Sequence, residues 1–155
     1  MQLGFSYVGF VFLLMLMIPN IFWKNNQPKN YEVHVEHENK LLLVLERTGE
    51  ALVSCLLIVS KSLNIEVISP WILWLVGAFI LMVLYEVYWI RYFKSERTMK
   101  DFYSSLLGIP VAGATLPVFA CILLSIYGKL PILFVASIIL GIGHIGIHFQ
   151  HSKEL

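Results

Sequence analysis

Charge is scarce in this chain. Asp, Glu, Lys and Arg together make up 14% of its 155 residues, against about 25% in ordinary soluble domains, and that shortage excludes a globular domain with a conventional polar surface. Cysteine is scarcer still. Cys55 and Cys121 both lie inside apolar runs with no CxxC spacing, so they read as small buried apolar groups rather than a disulfide framework or a zinc knuckle. No basic stripe interleaved with aromatics occurs outside the connecting segments, which sets nucleic acid aside as a partner. The chain has no HExxH, no phosphate-binding glycine loop, no nucleophile elbow and no lipidation box. It also has no internal repeat, so an inverted-repeat transporter has no support. The N-terminal stretch lacks both a basic leader and a small-residue cleavage site, which predicts a retained span rather than a removed signal.

What is abundant is apolar: 58% of the residues. They fall into five runs, at about residues 3–23, 41–60, 71–92, 104–127 and 131–150, each close to the ~20 residues that cross ~30 Å of hydrocarbon as a helix. The expected fold is therefore all-α, a single-domain integral membrane bundle of five transmembrane helices over residues 1–155. The bilayer is its first partner. Lys24, Lys29, Lys40, Arg91, Lys94, Arg97, Lys100 and Lys153 fall on one side of that pattern, and only Lys61 and Lys129 on the other. The positive-inside rule puts the N-terminus outside and the C-terminus in the cytoplasm of a cell (plasma) membrane, with cytoplasmic loops at 24–40 and 93–103. Trp23 and Trp89 then fall near the inner interface, Trp71 and Trp74 near the outer one.

The second run is the unusual one. LLLVLERTGEALVSCLLIVS carries Glu46, Arg47 and Glu50, and each charge at mid-membrane costs roughly 2.5–3.5 kcal/mol, whereas each Leu, Ile or Val returns only about 0.3–0.6. The segment is marginal alone and needs partners. At about 100° per residue its charges share one face, on which Arg47 and Glu50 can pair within the helix and leave Glu46 to reach across the bundle. The fifth run answers with Ser137, Gly141, His144, His148 and His151 along one stripe, where small residues admit a neighbouring helix and imidazoles point at it. Counting about 1.5 Å per residue from the inner interface places Glu46, Glu86 and His144 at one level. In the fourth run, Gly108 and Pro110 free a carbonyl that must be satisfied inside the bundle.

Two kinds of chemistry follow. Glu46, Arg47 and Glu50 read either as catalytic acid/base groups or as a structural ion-pair network. His144 and His148, four apart on a helix, read with Glu86 as ligands of a divalent metal, zinc or iron, or as interhelical hydrogen bonders. The spacings His34-x-x-His37 and His144-x-x-x-His148-x-x-His151 are similar to the histidine boxes of membrane di-iron desaturases and hydroxylases. This chain departs from them in having five histidines in all and no adjacent pair, and membership is not inferred. Arg91, Lys94, Arg97 and Lys100 read as an anionic-lipid headgroup site or as plain topology markers. The leading functional expectation is a small membrane-embedded enzyme, metal-dependent in one form, acting on a lipid-like substrate. Its alternatives are a proton- or ion-coupled transport element and a non-catalytic membrane partner or sensor subunit.

Overall fold

Ser6 starts the first helix by accepting the Gly9 N–H on its hydroxyl oxygen at 2.9 Å, satisfying a donor that has no partner inside the helix. The computed structural model describes residues 2–29, 31–32 and 38–154. Within them α1 covers Tyr7–Lys24, α2 Lys40–Val59, α3 Leu73–Lys94, α4 Met99–Phe102, α5 Ala112–Tyr127 and α6 Pro131–Lys153. Asn39 caps α2 through Leu41 N–H. Pro131 stands in the first turn of α6, where its missing N–H costs nothing. Thr98 and Asp101 form a reciprocal capping box on the short α4. The described residues form no strand, and two isolated bridges, Leu3 with Ser60 and Leu106 with Ile109, join short turns.

Hydrogen bonds between segment ends fix the helix directions. Gly4 and Ser6 N–H donate to the carbonyls of Val59 and Ile58, so α1 begins where α2 ends. The Trp71 indole donates to the Tyr127 carbonyl at 3.0 Å, so α3 begins where α5 ends. At the opposite end the Tyr92 hydroxyl donates to the Asn26 carbonyl at 2.8 Å. Successive long helices therefore alternate in direction. The eight basic residues assigned to one side of the sequence pattern all belong to the end that holds Asn26, Lys40 and Lys153.

Among the described residues three helices are long and apolar enough to cross a membrane: Tyr7–Lys24, Pro70–Lys94 and Pro131–Lys153. Each carries a stripe of exposed large apolar side chains, such as Phe10, Leu14 and Ile18 on α1 and Phe79, Val83 and Ile90 on α3. A surface of this kind suits acyl chains rather than water. α2 has the length of a span but carries its charges in the middle.

The fourth expected span is shorter than its apolar run. The helix starts at Ala112, not at residue 104. Pro110 disfavours helical geometry in the residue before it, and Leu107, Gly108 and Val111 all have positive φ, so residues 104–111 form turns instead. The Leu106 carbonyl, which the missing N–H of Pro110 leaves over, accepts the Ile109 N–H at 2.9 Å, and the Pro110 carbonyl accepts the Thr115 hydroxyl at 2.8 Å.

α2 and α6 share the most extensive contact between two helices. A β-carbon at Gly49 would lie 2.5 Å from the Leu140 backbone, and one at Gly143 would lie 2.3 Å from the Glu46 nitrogen. Only glycine allows backbones that close, as small-residue contacts do between membrane helices. The wall that carries Glu46 is thereby held against the wall that carries His144.

Candidate functional site

Between α1, α2, α3, α5 and α6 lies a cavity of about 790 Å³, within the range of small-molecule sites. Leu13, Leu16, Val53, Val118 and Leu140 make apolar walls, while Glu46, Arg47, Glu50, His144 and His148 gather on one side. His144 Nδ1 and Glu46 Oε1 share a hydrogen bond of 2.5 Å across the α2–α6 contact. Glu46 is 11% and His144 23% exposed at the side chain, so a charge-assisted bond here is little screened by water. Arg47 donates to Glu50 at 3.1 Å, one turn along α2. With its side chain 70% exposed, Arg47 lies at the open side of the cavity rather than inside the bundle, so this pair adds little to stability.

The α6 stripe does face inward. Ser137 and His151 are fully buried, and the His144 and His148 rings stand 4.5 Å apart. His148 also packs edge-on against Tyr103 at 5.3 Å. Its Nδ1 is buried without a hydrogen-bond partner, an arrangement that costs about 1–3 kcal/mol. Farther along, the Tyr103 hydroxyl and His151 Nδ1 share a bond of 2.7 Å, and His151 Nε2 lies 3.6 Å from Glu38. Burial pushes the Glu38 carboxyl above its usual range; the nearby Glu46 charge pushes the same way and Arg47 opposes it. Burial likewise raises the phenols of Tyr31 and Tyr103.

An aromatic cluster closes the loop end of the cavity. Trp23 stacks on Phe102 at 5.3 Å, Tyr31 meets both edge-on, and Trp89 stacks on Phe93. Trp89, expected near the interface, is 5% exposed and packs as core. On the α1 side, Asn20 donates to the Tyr85 hydroxyl at 3.1 Å, and both line the cavity.

Of the residues singled out from sequence, Glu46, Arg47, Glu50, His144 and His148 meet at this one site. Glu86 does not line the cavity. It sits on the flank of α3, half-buried, while its neighbours Tyr85 and Trp89 face the cavity; among the described residues it makes no ion pair. Arg47 and His144 are paired instead with Glu50 and Glu46. The group whose donor atoms lie within 4.8 Å of one another is Glu46, Glu50 and His144. His34 and His37 lie outside the described residues. In the basic run all four side chains are exposed; Arg91 donates to the Ser105 carbonyl and Arg97 to the Asn26 side chain. The sequence did not point to Tyr31, Glu38, Phe102 or Tyr103, which come from connecting segments with no periodic relation to the helices.

No protein-family model matches this chain, and no curated protein or solved structure does either.

Proposed function

We propose that this protein is a five-span integral protein of the cell membrane, N-terminus outside and C-terminus cytoplasmic, whose cavity is the active site of an enzyme acting on a lipid-like substrate. The alternating helix directions and the clustering of basic residues at one end support the topology. The observation that carries the function is the Glu46–His144 contact on the wall of a cavity that is otherwise largely apolar. An amphiphile would lay its tail along Leu13, Leu16, Val53 and Val118 and present its head to the carboxylates and imidazoles.

In this reading Glu46 is the general base and His144 returns the proton. The pair already shares one hydrogen bond between Oε1 and Nδ1, and the low exposure of both side chains strengthens it. Glu50, oriented by Arg47, holds the polar head in register. A proton-coupled transport element would use the same dyad, but it needs polar groups that continue to the far end of the bundle. Along α2 the cavity's polar lining stops at Ser54.

The test is photolabelling of the full chain in lipid nanodiscs with a single-chain lipid bearing a diazirine in its tail. Label on Leu13, Leu16, Val53 or Val118, together with a lipid species that accumulates in membranes carrying Glu46→Gln, supports the reading. Label confined to the outer faces of α1, α3 and α6 overturns it. A Glu46-dependent proton leak in sealed liposomes, with no lipid turnover, would favour transport instead.

A further inference from the structure

Three donors stand on one wall of the cavity. One oxygen each from Glu46 and Glu50 and one nitrogen of His144 lie within 4.8 Å of one another. Glu46 and Glu50 are one turn apart on α2, and His144 faces them from α6. The two helices are pinned at that level by Gly143 against the Glu46 backbone, so the donor set rests on rigid elements rather than on a loop. Donors around a tetrahedral ion at about 2.0–2.2 Å from each ligand sit about 3.4 Å apart. The Glu46–His144 separation of 2.5 Å is shorter than this, and the other separations in the group are within 4.8 Å. An ion at that spacing therefore requires the Glu46 carboxylate to turn off His144 Nδ1. Arg47, mostly exposed, is free to swing off Glu50.

A second observation is independent of the acidic groups. His148 follows His144 by one turn, lines the same cavity with its ring 4.5 Å from that of His144 and tilted to it, and its buried Nδ1 has no hydrogen-bond partner; it stands outside the three-donor group and would join it from the adjacent turn. A buried imidazole beside three convergent donors lacks a partner that a cation would supply.

We propose that Glu46, Glu50, His144 and His148 form the binding site of one divalent transition-metal ion, with Glu86 outside the ligand set. Two imidazoles with two carboxylates suit zinc or ferrous iron. Magnesium and calcium prefer all-oxygen shells, and among the described residues no cysteine lines the cavity to favour a softer ion. A bound ion and the hydrogen shared by Glu46 and His144 are alternative occupants of one place: the acid/base roles of these two residues belong to the ion-free site, and the apolar lipid-binding walls are common to both states.

The test uses the full chain in mild detergent, stripped with a chelator and dialysed against Co²⁺, with metal content and visible absorption as readouts and no substrate present. Expected are about one Co²⁺ per chain, displaced by Zn²⁺, with the ligand-field bands of a nitrogen–oxygen site. Glu50→Gln and His144→Ala should each bind at least about tenfold more weakly, and Glu86→Gln as the parent does. Circular dichroism and the elution profile establish that each variant folds. If His144→Ala does not fold, Glu50→Gln and His148→Gln carry the decision. Three results overturn the proposal: a parent that binds far less than one ion, ligand variants that bind as it does, or a Glu86→Gln that loses the ion as Glu50→Gln does. Because binding is read without lipid, failure here leaves the lipid reading untouched, and failure there leaves the ion in place.

Discussion

Gly143 of α6 lies against the backbone of Glu46 on α2, so close that a β-carbon added at residue 143 would stand 2.3 Å from the Glu46 nitrogen. The contact determines the site. It sets the distance between the helices at the level where Glu46 meets His144 one residue farther along.

Gly143→Ala should therefore act on the site and on stability together. The obstacle is backbone and cannot rotate away, so the cost is expected at the upper end of the ~1–3 kcal/mol typical of overpacking. Thermal unfolding in detergent measures it. Gly146→Ala, whose β-carbon would first meet the Leu42 side chain, at 3.1 Å, should cost clearly less.

Tyr103→Phe should destabilise the fold by about 1–3 kcal/mol, because His151 is fully buried and loses the 2.7 Å bond on its Nδ1. The same thermal measurement checks this. A variant as stable as the parent would mean that His151 does not depend on the phenol.

The capping box on α4 gives a pH dependence of definite sign. The Thr98 backbone N–H, donated to the Asp101 carboxylate at 2.9 Å, holds that carboxyl below its ordinary 3.8. A depressed acid stabilises the folded form above its unfolded value and loses that contribution as pH falls through its folded value. Amide exchange protection of residues 98–103 should thus fall below about pH 3.8 in the parent, and Asp101→Asn should lower it at neutral pH and remove the change.

Filling the cavity should exclude its ligand. Ala51 lines the cavity, and Ala51→Phe is expected to reduce tail-diazirine labelling by about tenfold, or ~1.4 kcal/mol, with helix content unchanged by circular dichroism. Undiminished labelling would put the lipid elsewhere.

Much of the site was legible because it follows from helix geometry. The i, i+3 spacing of Arg47 and Glu50 sets their 3.1 Å pair, and the 100° periodicity turns the α6 histidines to one side. Glu86 was not legible for a related reason. α3 is apolar nearly all round, so its pattern does not say which face turns inward. That choice is made by Tyr88 packing against Gly113 and by the Asn20–Tyr85 bond. The late start of α5 was hidden in an apolar run whose composition suits a helix but whose Pro110 and positive-φ residues do not. Glu38 and Tyr103 reach His151 from separate connections, contacts that no periodicity encodes.

A double-mutant cycle on Glu46→Gln and His144→Ala, read as thermal stability of the full chain in nanodiscs, tests most directly that these two side chains face each other across the cavity wall. Expected is a coupling of at least about 1 kcal/mol, since contacting groups couple by about 0.5–3. Effects that add to within about 0.3–0.5 kcal/mol, as those of separated residues do, would contradict it.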